Sequence, residues 1–83
     1  MTYPFPFKAT FTDQTNDNNS WTRELYAARA SVHPIEIYRY MRDRKLFPVD
    51  RRKKATTVLE VIDRVEVEWN GGAQRVVIER VKA

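Results

Sequence analysis

An α+β fold in a single small domain is what this 83-residue chain predicts. Three observations carry that expectation. Apolar and polar residues alternate at Phe7–Thr12 and again in two runs of the last third, as in half-buried strands. A helically spaced run lies between two prolines, Pro34 and Pro48. The last two strand-like runs are separated by Asn70-Gly71-Gly72-Ala73, a hairpin signal. The expected order is an N-terminal strand, one or two central helices of which the last covers 34–45, and a C-terminal antiparallel hairpin over about 58–81.

Composition sets the bounds. A chain of this length buries only about 60% of its unfolded surface, but 42% hydrophobic residues with two glycines and four prolines suffice for a modest core rather than a disordered tail. The absence of cysteine excludes disulfides and thiolate metal sites and fits a reducing compartment. No apolar run approaches the roughly 20 residues of a membrane span, and no signal-peptide pattern opens the chain, so a soluble, cytoplasmic protein is expected.

In chain order, Tyr3-Pro4-Phe5-Pro6 reads as extended, since proline biases its predecessor away from helix. The first strand then places Phe7, Ala9 and Phe11 on the core side. Residues 13–20 are all polar and read as a mobile loop. Over Trp21–Ser31, Trp21, Leu25, Ala28 and Val32 fall on one helical face, with Thr22 as cap and Trp21 as staple residue, so a helix is expected. The alternative is a strand, with Trp21-Thr22-Arg23 pairing back on Phe7–Thr12 and Leu25 near Phe7.

Pro34 suits the first turn of the next helix, with Ser31 or His33 as cap. The spacing turns Ile37, Tyr40, Met41 and the stem of Arg44 inward, and leaves Ile35, Tyr38, Arg39 and Arg42 outward. Leu46 and Phe47 pin the helix end into the core. Residues 55–62 suit either a helical turn or an added strand. For the hairpin, a Gly71-Gly72 tip sets Val67 against Val76 and Val65 against Ile78 on one face, and Glu68 against Arg75 and Arg64 against Glu79 on the other.

The charge is unevenly spread. The chain carries +4, whereas residues 34–54 alone carry +5, from eight basic and three acidic side chains. Such a focus attracts phosphate backbones or acidic proteins; the competing reading is a solvated helix face. The candidate contact residues are Tyr38, Arg39, Arg42, Arg44, Lys45, Arg51, Arg52, Lys53 and Lys54. There is no Gly-rich phosphate loop, no metal-ligand spacing and no serine or cysteine nucleophile with a base. Lone His33 reads as a capping or surface group. An enzyme, a cofactor and a small-molecule substrate are therefore not expected.

The stretch Glu36–Pro48 resembles the recognition helix and following Leu-Phe-Pro turn of phage-type excisionases. More broadly it resembles the helix-turn-helix of MerR-like regulators, with Val32-His33-Pro34 opening the helix and Ala27, Ala30 and Ser31 as the small residues before it. The resemblance covers residues 26–48. It implies a winged-helix-like fold, with Arg39 and Arg42, beside Glu36 and Tyr38, facing the major groove and residues 51–54 on phosphates. In outline the chain is also similar to small phage β-hairpin–helix–β-hairpin proteins, among them certain anti-CRISPR proteins, with Trp21-Thr22-Arg23 and Ala30-Ser31 as its anchors. That likeness implies a ββαββ fold, its helix packed on one four-stranded antiparallel sheet. The function expected from the first is a small phage- or mobile-element-type regulator binding duplex DNA; from the second, an inhibitor docking on a host nucleoprotein complex. A homodimer is compatible with either.

Overall fold

Alternation along Phe5–Asp13 makes the first strand, β1. Phe7, Ala9, Phe11 and Asp13 are buried on one side, while Lys8 and Thr12 are exposed on the other. The computed structural model describes residues 5–50 and 52–81. After β1 come β2 (Trp21–Ala27), α1 (Pro34–Asp43), β3 (Thr56–Val61), β4 (Arg64–Trp69) and β5 (Gln74–Arg80). The strands form one antiparallel sheet in the order β2-β1-β5-β4-β3. Helix α1 packs on one face of it, against β4 and β5. Tyr3 and Pro4 of the expected extended lead lie outside the described residues.

This corrects the winged-helix-like expectation. Trp21–Ala27 is a strand, not a helix: it pairs with β1 from Phe11 opposite Trp21 to Phe5 opposite Ala27, which sets Leu25 opposite Phe7. Helix propensity is worth only tenths of a kcal/mol per residue. Pairing along β1, with Trp21 stacked on Phe11 at 5.8 Å between ring centroids, outweighs it. The ββαββ outline is met only in part. One helix does cover one antiparallel sheet, but that sheet has five strands, because residues 56–61 form a strand of their own against β4. The hairpin itself follows the sequence register: Val67 faces Val76, Val65 faces Ile78, Glu68 faces Arg75 and Arg64 faces Glu79. Its tip runs through left-handed backbone at Asn70, Gly71 and Gly72, which glycine adopts freely.

The helix is present but turned and shortened. Its buried residues are Pro34, Tyr38 and Met41, spaced i, i+4, i+7. Tyr38 is 5% exposed and Tyr40 50% exposed, the reverse of the expected assignment. The cause is aromatic packing: Tyr38 stacks on Phe47 with centroids 5.6 Å apart and sits 6.2 Å from Trp69. Phe47 is the hub of this cluster, with Trp69 at 5.3 Å and Phe11 and Trp21 each at 6.1 Å. His33 caps the helix start, and the Glu36 carboxylate accepts the His33 backbone N–H at 2.7 Å.

At the other end α1 stops at Asp43, two residues short of the expected Lys45. The Leu46 N–H donates to the Met41 carbonyl at 3.1 Å and the Lys45 N–H to the Arg42 carbonyl at 3.0 Å. That pattern is a Schellman motif, and it puts Lys45 in the left-handed position at φ 62°. The turn it makes sends Phe47 back into the core.

The polar loop after β1 is tied to the sheet by hydrogen bonds to one buried carboxylate. The Asp13 carboxylate accepts from the Thr15 backbone and hydroxyl, the Asn16 backbone, the Asn19 amide and the Gln74 amide. Gln74 also donates to the Pro48 carbonyl at 3.2 Å, which fastens the segment after Phe47 to β5.

Candidate nucleic-acid interface

The end of α1 and the irregular segment between Phe47 and β3 do not close on each other. They leave an open groove of about 400 Å3. Its floor is Tyr38, Phe47 and Trp69, the edge of the aromatic core, and its rim carries Arg42, Lys45 and Lys53. The Schellman turn places Lys45 beside the groove, and helical spacing places Arg42 one turn after Tyr38. Among the described residues Asp43 is the single carboxylate at the rim, and it lies 3.2 Å from Arg42. Both partners of that pair are more than half exposed, so it is worth little against a polyanion.

Tyr38 stacks on Phe47, Trp69 packs tilted against both, and all three floor rings are nearly fully buried. They offer no free face on which a base could stack. Burial also pushes the Tyr38 phenol up, against the opposing effect of the Arg42 guanidinium 5.9 Å from its ring centroid, so the phenol stays neutral. What the groove presents is three exposed cations over an apolar floor, an arrangement suited to oxygens of a phosphate backbone.

The nine residues singled out by sequence divide. Arg42, Lys45 and Lys53 come together at the rim, and Tyr38 lies beneath them as floor rather than as an exposed contact. Arg39 is exposed on the outer face of α1 between Glu36 and Asp43, which gives that face more acid than base. Arg44 points to the opposite flank, where its guanidinium lies 4.5 Å from the ring centroid of Tyr40. Tyr40 in turn lines a second open groove of about 450 Å3 against β2. Arg52 is held by both oxygens of Asp50, at 3.2 and 3.1 Å, and this partner keeps the Asp50 carboxyl below its usual range. Lys54 is exposed, and Arg51 lies outside the described residues. Sequence reasoning missed Trp69 and Phe47 as groove floor. The alternation Val65, Val67, Trp69 carried the signal for the first, since it puts Trp69 on the core face.

A helix-turn-helix would need a first helix before Pro34; that segment is β2 and a turn. Among the described residues no helix is long and apolar enough to cross a membrane, and no group of three or more His, Asp or Glu is placed to share a metal ion. Comparison with protein-family models, curated proteins and solved structures finds no match.

Proposed function

We propose that this protein is a non-catalytic binding module whose basic groove grips the phosphate backbone of duplex DNA without reading its sequence. The convergence of Arg42, Lys45 and Lys53 on one groove, with Asp43 as the only opposing charge among the described residues that line it, is the observation that carries the proposal. Base reading by α1 is not part of it. The outward face of that helix holds Glu36, Arg39 and Asp43, whose carboxylates repel the backbone a reading helix must cross. Each phosphate neutralised on duplex DNA contributes a slope of about −0.9 in log affinity against log salt, so three rim cations give a slope near −3. Titration of fluorescent duplexes of unrelated sequence at several salt concentrations measures it. The R42Q/K45Q/K53Q variant is expected to lose nearly all of that slope and of the affinity. Wild-type binding by this variant would overturn the proposal.

A second reading is favoured by one observation, the strand at Trp21–Ala27. It gives the chain a single antiparallel sheet with one covering helix, closer to the outline of the small phage inhibitors. In this reading the same rim cations dock on a host nucleic-acid-handling complex and obstruct its nucleic-acid path. It requires weak binding to free duplex together with a stoichiometric complex on a purified nucleoprotein target, abolished by the same three substitutions.

A further inference from the structure

We propose that β3 is a self-association edge, at which two copies of this chain pair antiparallel about a two-fold axis and join their sheets into one. β3 closes the strand order, bonded to β4 on one side and, among the described residues, to nothing on the other. All six of its residues are exposed. Val58, Leu59 and Val61, with Ile62 just beyond, are four of the seven large hydrophobic side chains exposed among the described residues. Soluble proteins guard such edges with Lys, Pro or charge. β3 contains neither Lys nor Pro, and Glu60 is its only charge. The opposite edge, β2, is guarded by the polar run Thr22-Arg23-Glu24.

The occupant follows from the distribution of charge. Arg52, Lys53 and Lys54 precede the strand, while Glu60 and Asp63 end it. Laid antiparallel on itself, the strand puts its basic start beside the acidic end of its partner, and symmetry repeats the match. Laid parallel, it would set like charge against like. Asp63 is already held by Arg80 at 3.1 Å, whereas Lys54 and Glu60 have no ion-pair partner among the described residues. Lys53 is likewise unpaired but lines the groove, which leaves Lys54 and Glu60 for the partner copy. A bulge between Thr57 and Leu59 adds local twist, and it leaves Leu59–Val61 in regular register with β4.

The two-fold axis of an antiparallel pair stands perpendicular to the sheet. Both α1 helices, and both basic grooves beside them, therefore share one face of the dimer. The proposal does not depend on what those grooves bind, and its test contains no nucleic acid.

Sedimentation of the full chain from micromolar to millimolar concentration reads the association. Lys54→Glu and Glu60→Lys are each expected to weaken dimerisation about tenfold, since each creates a repulsive contact twice. The K54E/E60K double variant restores the wild-type constant to within about threefold. Backbone hydrogen exchange of the wild-type protein supplies a reading that needs no variant: amides of Thr56–Val61 slow as concentration rises. A monomer at every concentration, a dimer indifferent to the single reversals, failure of the double variant to recover, or β3 amides unaffected by concentration would each overturn the proposal.

Discussion

The Asp13 carboxylate gathers the polar loop after β1 and ties it to Gln74 of β5. Thr15 first, then Asn19, hold its carboxyl far below the ordinary 3.8, with smaller help from Gln74, and together they outweigh the opposing effect of burial. A group whose folded pKa is depressed adds stability above its unfolded value and loses it as pH falls toward the folded one. Asp13→Asn is therefore expected to lower Tm at neutral pH and to flatten the fall in Tm between about pH 4 and pH 2. Thermal scans of both proteins across that range decide it; an unchanged acid slope in the variant would remove Asp13 from the linkage. The sequence placed Asp13 only at the start of a polar loop. Its partner Gln74 lies 61 residues further on, and no local pattern joins the two.

At the scale of elements, α1 shows what spacing can and cannot determine. Helical periodicity located it, and the prolines bounded it, but two overlapping apolar stripes were available. Contact with Phe47 and Trp69 chose the one through Tyr38. The exit from α1 keeps a removable strain, because Lys45 holds a left-handed backbone at φ 62°. Lys45→Gly is expected to stabilise the fold by about 1 kcal/mol. Urea unfolding would show it as a higher midpoint at unchanged m. A lower midpoint would mean that the Lys45 side chain contributes more to the fold than its backbone costs. β2 teaches the same lesson in reverse: its helical spacing was genuine, and the pairing with β1 that the sequence offered as the alternative is the one that formed.

In the molecule as a whole, one aromatic hub joins the sheet, the helix and the groove. Phe47 touches rings from β1, β2, α1 and β4, although it belongs to none of them. Phe47→Ala is expected to cost about 3–5 kcal/mol. A small domain has only about 5–15 kcal/mol in total, so this variant should be unfolded or barely folded at room temperature. Phe47→Leu, which keeps most of the volume, should remain cooperative with a lowered midpoint; denaturant titrations of both variants give the comparison. A native-like Phe47→Ala would place the core elsewhere.

By itself the sequence determined the inward face of β1, the existence of α1, the register of the β4–β5 hairpin and the concentration of charge in residues 34–54. Each of these is written in neighbouring residues, as alternation, helical spacing, a glycine turn or a run of like charges. Only the tertiary structure made residues 21–27 a strand, added β3 as a fifth strand, turned Tyr38 inward, and divided the basic cluster so that, among its described members, Arg42, Lys45 and Lys53 share the groove. Those outcomes depend on which distant surface a segment meets, and pairing energy gained across the fold exceeds the local preferences it overrides.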